Sequence, residues 1–278
     1  MNAQRPLRPG PDETAAAVAP DVATTPVARR PIAGPPSRPD GPPVLRWTDL
    51  GRCDYREAWH LQQAQVARRK AGLDHDRLLL VEHEPVLTLG RRAQEENIKA
   101  DRTWLAGQGV ELVPVERGGD VTYHGPGQLV AYPILDLHGH RKDVRWFAAT
   151  LLEVVARTVR AFDLPAEVRE GRDTGVWLPA DGLTPASKIA ALGVRVERWI
   201  GYHGVALNVD PDLSHFGWIV PCGLPEAHTT SLRAALGRSI TIAEVRPVFL
   251  DAFAAAFAVR LQPSPRDEWP AISEEEAP

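Results

Sequence analysis

Two residues in this sequence have side chains suited to covalent and proton chemistry and stand in unusual surroundings: Cys222 in "IVPCGLPE" and Lys188 in "SKIAALGV". Pro221 and Pro225 restrict the chain around the cysteine, and Gly223 leaves room beside its sulfur. A stiff, uncrowded thiol is a candidate nucleophile; the alternative is a small hydrophobe packed in a core, the commoner fate of an isolated cysteine. A cysteine nucleophile needs a His or Lys to lower its pKa from about 8.5. The basic residues here are overwhelmingly arginine, so a lysine in a mostly apolar stretch stands out. A partly buried lysine can titrate below its reference value and act as a base, which arginine cannot do. The plainer reading of Lys188 is a strand-start lysine with its head in water.

A third feature is the loop "VERGGDVTYHGPG", which precedes the hydrophobic run "QLVAYPILDL". Its glycines at 118, 119, 125 and 127 permit positive φ or a close approach of backbone to a ligand, and exposed N–H groups there can bind a carbonyl or an anion. It matches neither G-x-x-x-x-G-K-[ST] nor G-x-G-x-x-G, so it gives little support to nucleotide binding. The competing reading is a hairpin turn whose glycines serve only the chain path. His124 and His203 complete the set of candidates, but no two ligands stand at metal-site spacing such as C-x-x-C or H-x-x-x-H. Cys53 reads as part of a helix, "EHEP" at His83 as the start of a turn, and "HGH" at 138–140 as a loop with two exposed histidines.

The elements that must position these groups are interleaved. "DYREAWHLQQAQVARRKAGL" has helical spacing, and "DRLLLVEHEPVLTLG" has two short apolar runs broken at Pro85. "QLVAYPILDL" reads as a strand, "DVRWFAATLLEVVARTVRAF" as an amphipathic helix, "SKIAALGVRVERWIGYHGVALNV" as a two-strand hairpin and "TIAEVRPVFLDAFAAAFAV" as a closing helix. Hairpins among helices predict an α/β (α+β) domain, a mixed β-sheet flanked by helices, rather than a doubly wound parallel sheet.

The chain of 278 residues is 44% hydrophobic, enough for a sizeable core. Its net charge of -4, without a lysine-rich run, leaves no electrostatic footprint for nucleic acid or an anionic membrane. No apolar stretch approaches the ~20 residues of a membrane helix. Two cysteines argue against a disulfide scaffold and fit a reducing, cytoplasmic compartment. Residues 1–43 are dominated by Pro, Ala, Arg and Gly and read as a disordered extension; an organelle transit peptide is the alternative, disfavoured by Asp12, Glu13 and Asp21. The catalytic domain is expected over 44–262 and a polar, fraying tail over 263–278.

"RGGDVTYHGPGQ", "SKIAALGVRV", "YHGVALNV" and "PCG", in that order and with "EHEPVLTLGR" ahead of them, resemble the lipoate-biosynthesis acyltransferases, the octanoyl-[acyl-carrier-protein]:protein N-octanoyltransferases. The resemblance covers about Val44 to Leu261 and implies the catalytic fold shared with biotin and lipoate protein ligases. It places Cys222 where the family has its acyl-thioester nucleophile and Lys188 where it has the lysine that lowers the thiol pKa. Arg117, Gly118, Gly119, Asp120, Val121, Thr122, Tyr123 and His124 stand at its main substrate loop. Ala191, Leu192 and Gly193, with Gly204, Val205 and Ala206, match two further substrate-contacting segments, and His203 lies beside the last.

The implied donor is octanoyl-acyl carrier protein. The implied acceptors are lysines of lipoyl domains, in 2-oxoacid dehydrogenase E2 subunits and the glycine cleavage H protein, with no cofactor and no metal. Three rival readings are an ATP-dependent ligase of the same fold, a thioester hydrolase using Cys222, His203 and Asn208, and a carrier-binding module without catalysis.

Overall fold

The computed structural model describes residues 41–221 and 228–269. The expected N-terminal tail up to residue 40, Cys222 with its neighbours Gly223 and Pro225, and the C-terminal tail from residue 270 lie outside the described residues.

Strand β1 (Val44–Cys53) leads into helix α1 (Tyr55–Lys70), and β2 (Arg77–His83) and β3 (Val86–Leu89) follow. A short helix, α2 (Arg102–Gly107), precedes β4 (Glu111–Pro114) and β5 (Val121–His124). The long strand β6 (Gln128–Asp136) and helix α3 (Val144–Arg160) lead to β7 (Glu167–Arg169) and β8 (Gly175–Leu178). The hairpin of β9 (Ser187–Glu197) and β10 (Ile200–Asn208) is followed by β11 (His228–Thr229) and α4 (Leu232–Leu236). Helix α5 (Ile242–Phe257) and β12 (Arg260–Pro263) close the domain.

The main sheet runs β12-β1-β2-β6-β10-β9-β8-β7, with β11 added to β9. Its β1 pairs parallel with β2 and β12, while β2, β6, β10, β9, β8 and β7 pair antiparallel in turn, so it is mixed as the element order predicts. Alternation along the strands builds two apolar layers. Leu78 and Leu80 of β2, with Leu129 and Ala131 of β6, pack against α3 and the phenylalanines at 249, 253 and 257 of α5. Leu79 and Val81, with Val130, Tyr132 and Ile134, face α1 through Ala58, Leu61 and Val66. Each fully buried Leu or Phe contributes roughly 1.5–3 kcal/mol, which is why this central strand pair reads as a continuous apolar run.

Helix caps fix where the elements begin. Asp54 accepts from the N–H groups of Arg56 and Glu57, so α1 starts at Tyr55. Cys53 is therefore the last residue of β1, buried, and not a helical residue as its context suggests. Thr241 and Glu244 form a reciprocal capping box at the start of α5.

A second sheet, β4-β3-β5, was not legible as such, because its strands have four residues each. Its β5 lies inside the stretch read as a loop. The segment after Pro263, expected to fray, is packed as far as Trp269: that indole is buried and donates to Thr48 Oγ1 at 2.8 Å. No helix among the described residues is long and apolar enough to cross a membrane.

Candidate active site

The β9–β10 hairpin and the 117–124 segment enclose a cleft of about 470 Å³. The segment is shaped by Arg117. Its buried guanidinium donates to Thr88 O at 2.7 Å, Thr88 Oγ1 at 2.8 Å, Asp120 O at 2.8 Å and Gly118 O at 3.1 Å. The turn after β3 adds Arg91 N–H to Arg117 O and Arg92 N–H to Gly119 O. Four consecutive carbonyls are thus held, 118 and 120 by the Arg117 guanidinium and 117 and 119 by the Arg91 and Arg92 N–H groups. The backbone follows only because Gly119 adopts φ +97°.

The hairpin supplies the facing wall. Ala191 pairs with Ala206, Leu192 with Val205 and Gly193 with Gly204, so the two segments singled out in sequence lie side by side. Pairing of β10 with β6 is interrupted from Tyr202 to Gly204. There His203 takes a left-handed φ of +54°, and its backbone N–H donates to Gln62 of α1. Gly204 is required by close approach: a Cβ would fall 1.9 Å from Ala131 O.

Of the residues expected at the substrate site, Arg117, Gly119, Asp120, Val121, Thr122, His124, Ala191, Leu192, Gly193, His203, Gly204, Val205 and Ala206 line the cleft. Gly118 and Tyr123 do not. Gly118 N–H donates to Val194 O, and Tyr123 packs against Phe216 and Trp218 with its hydroxyl on His215. Sequence reasoning missed Tyr55, Val130 and Tyr132, which also line it. An aromatic in an apolar strand reads as core, so only its neighbours reveal that Tyr132 faces a cleft.

The histidines around this cleft are buried bases held neutral. Burial, with the nearby His83 adding to it, depresses His124 to about 3. Burial likewise depresses His83 to about 4. His83 is fully buried between Cys53 O at 3.2 Å and the Tyr132 hydroxyl at 2.8 Å, not a turn residue. Burial lowers His203 too, against the opposing pull of Glu116, whose Oε1 lies 3.4 Å away without hydrogen-bond geometry. His140, read as exposed, has a buried ring bound to Asp76 at 2.8 Å.

Lys188 lies in a second cavity of about 300 Å³, separated from the cleft by Thr122, Ala191 and Ala206, which line both. Its head is not in bulk water: the residue is 7% exposed, with Nζ 5.9 Å from the Trp177 ring centroid. Gly175 on β8 makes room for it, since a Cβ there would fall 2.4 Å from Lys188 Cε and 3.1 Å from Nζ. Gln128 and Asn208 share this cavity. A buried thread runs from His124 Nδ1 to Gln128 Oε1 at 2.6 Å, from Gln128 Nε2 to Asn208 Oδ1 at 2.9 Å, and from Asn208 Nδ2 to Thr230 O at 3.0 Å.

Pro221 lines the Lys188 cavity as well, and Cys222 is the next residue in the chain. Both ends of the undescribed segment are anchored here. Val220 N–H donates to Asn97 O at 2.7 Å, Thr229 pairs with Lys188 and Thr230 N–H donates to Lys188 O at 3.0 Å. Among the described residues no group of three or more His, Cys, Asp or Glu is placed to hold a metal ion.

The site is thus a largely apolar cleft beside a buried lysine, on a mixed sheet with helices on both faces. The lipoyl protein ligase A/B catalytic domain family matches residues 54–254. An octanoyltransferase of Koribacter versatilis is 44% identical over 216 residues, 77% of this chain and 84% of that protein. An octanoyltransferase of Myxococcus xanthus is 45% identical over 208 residues, 75% of this chain; the chain spans 58% of that protein's length. A solved bipartite lipoate protein ligase of Thermoplasma acidophilum superposes with a TM-score of 0.63 at 18% identity, over 84% of this chain and 89% of that one, a likeness of fold. The chain belongs to the octanoyltransferases of the lipoyl protein ligase A/B catalytic domain family. It is an acyltransferase.

Proposed function

We propose that this protein transfers an octanoyl group from octanoyl-acyl carrier protein to the acceptor lysine of lipoyl domains, through a thioester on Cys222. The observation that carries the reading is the buried Lys188 in a cavity walled by Pro221, one residue before Cys222, and opening beside an apolar cleft. The kinship with octanoyltransferases supports the transferred group. The archaeal ligase, which forms a lipoylation system with an E2 lipoyl domain, supports the acceptor class. The acceptor lysines of E2 subunits and H protein, and a reducing cytoplasm that keeps the thiol reactive, are part of the proposal.

In the first half, the Cys222 thiolate attacks the donor's thioester carbonyl. The carbon–sulfur bond to the carrier breaks, and the departing thiolate takes a proton from the Lys188 ammonium. One thioester replaces another, so no ATP is needed. In the second half, the neutral Lys188 amine takes a proton from the acceptor ammonium, whose pKa is ordinarily about 10.4. The freed amine attacks the Cys222 thioester, the amide forms with loss of a second proton to solvent, and the Cys222 thiolate returns beside a protonated Lys188. The aliphatic chain lies in the cleft between the 117–124 segment and the hairpin.

The hydrolase reading has less support: Asn208 is bound to Gln128 and to Thr230 O, and does not orient His203, which faces Glu116.

The test is intact-protein mass after incubation with octanoyl-acyl carrier protein, for wild type and Cys222→Ala. One hydroxylamine-labile octanoyl adduct on wild type and none on the variant is expected. ATP-dependent transfer that survives Cys222→Ala would refute the reading and favour a ligase.

A further inference from the structure

On the outer side of the acyl cleft lies an open cavity of about 1210 Å³, which shares Gly119, Asp120 and Leu192 with that cleft. Its walls carry two arginines from distant segments: Arg92, in the turn after β3, and Arg172, between β7 and β8. Most arginines among the described residues are matched to carboxylates, Arg52, Arg56, Arg102 and Arg233 among them. Arg92 and Arg172 are exposed and form no ion pair among the described residues. Asp120, the acid on this wall, is already engaged by Asn97 Nδ2, by the Gln94 N–H at 3.2 Å and by the Val121 N–H at 2.7 Å.

The loop between the arginines leaves two backbone donors unused among the described residues. Arg117 and the 90–92 turn draw all four carbonyls of residues 117–120 inward, and no acceptor among the described residues receives the N–H of Gly119 or Asp120. Backbone N–H groups turned out of a glycine-bearing bend form an anion-binding concavity, and arginine forks suit phosphate oxygens.

Resting on the octanoyl-thioester donor proposed above, we propose that this cavity binds the phosphate of the donor's phosphopantetheine arm, between Arg92 and Arg172 and over the Gly119 and Asp120 amides. The spans agree. Gly175 lies against the end of Lys188, and Arg172 precedes it by three positions, so the two Cα atoms are at most about 11 Å apart. The arm has about thirteen bonds between its sulfur and phosphorus, roughly 16 Å when extended. It therefore reaches from the thioester beside Lys188 to Arg172 with slack for bends. The phosphate then anchors the donor while the acyl chain enters the cleft.

The test compares octanoyl-4′-phosphopantetheine with octanoyl-pantetheine, which differ in the phosphate alone and carry no protein surface. For wild type at low salt, kcat/KM is expected to favour the phosphorylated donor by about 10-fold or more, from charge-assisted hydrogen bonds. In an Arg92→Ala/Arg172→Ala double variant the ratio should fall toward one, chiefly through KM, while Arg92→Lys/Arg172→Lys keeps part of it. A wild-type ratio near one, or a ratio unchanged in the alanine variant, overturns the proposal. So does an effect seen only with whole acyl carrier protein, which would assign the arginines to a protein surface. No transfer by wild type from either small donor or from octanoyl-acyl carrier protein would count against the proposed function. The site would then be judged by calorimetry with free 4′-phosphopantetheine: binding abolished in the alanine variant supports it, and equal binding of pantetheine overturns it.

Discussion

Arg117→Ala should cost both stability and substrate affinity, because one guanidinium organises the whole cleft-lining segment. Its removal leaves Thr88 O, Thr88 Oγ1 and Gly118 O without this donor, and Asp120 O, among the described residues, with only the Gly90 N–H at 3.3 Å. A buried acceptor stripped of its partner costs about 1–3 kcal/mol, and neighbouring losses overlap, so we expect about 3–5 kcal/mol in all. Urea unfolding followed by tryptophan fluorescence reads this as a lower midpoint at an unchanged slope. Because the same guanidinium turns the 118 and 120 carbonyls inward, the variant should also raise KM for an octanoyl donor about 10-fold, as expected for one charge-assisted contact's worth of loop order. Arg117→Lys should recover less than half of the stability, since one ammonium cannot reach Thr88 and Asp120 together. A loss below about 1 kcal/mol with KM unchanged would refute the assignment of Arg117 as the organiser of the loop.

Three further outcomes follow from the structure. His83 and His124 are depressed to about 4 and about 3 by burial, so the folded protein holds them neutral while the unfolded chain protonates both below their ordinary value near 6.5. The unfolded state binds more protons as pH falls; stability is full above about pH 6.5 and should decline toward pH 4 by up to about 1.4 kcal/mol per unit for each ring. Denaturant midpoints that stay flat from pH 7 to pH 4.5 would contradict this. Gly204→Ala, with its Cβ placed 1.9 Å from Ala131 O, must separate β10 from β6; a cost of about 1–3 kcal/mol or more is expected, seen as a Tm lower by several degrees. Trp269→Ala should cost about 3–5 kcal/mol, since it empties a buried site and leaves Thr48 Oγ1 without its indole donor; a melting curve equal to wild type would show that the C-terminal segment contributes nothing.

Much of the scaffold was legible locally. The amphipathic period of α3 and the phenylalanines four residues apart in α5 mark helices that cover one sheet face, and the apolar alternation of 187–209 marks the hairpin. The glycine loop, read as a candidate ligand-binding segment, lines the cleft, yet it also holds β5, and its last glycine serves chain path: Gly127 O accepts from the N–H groups of Val209 and Asp210. Cys53 and the segment 264–269 were misjudged because their environments are made by partners far along the chain, His83 of β2 in one case and Thr48 of β1 in the other.

What the sequence alone determined is the inventory and its local order: which residue types exist, which segments take helical or strand period, and, through five motifs in series, the family. Whether Lys188 is wet or buried was decided only in three dimensions. Strand β8 brings Trp177 and the side-chain-free Gly175 against β9, and β11 closes over from the other edge. That environment depends on the register of β9 against both β8 and β11, the latter separated from it in the chain by β10, and a register is a sum over many weak contacts that no short motif contains.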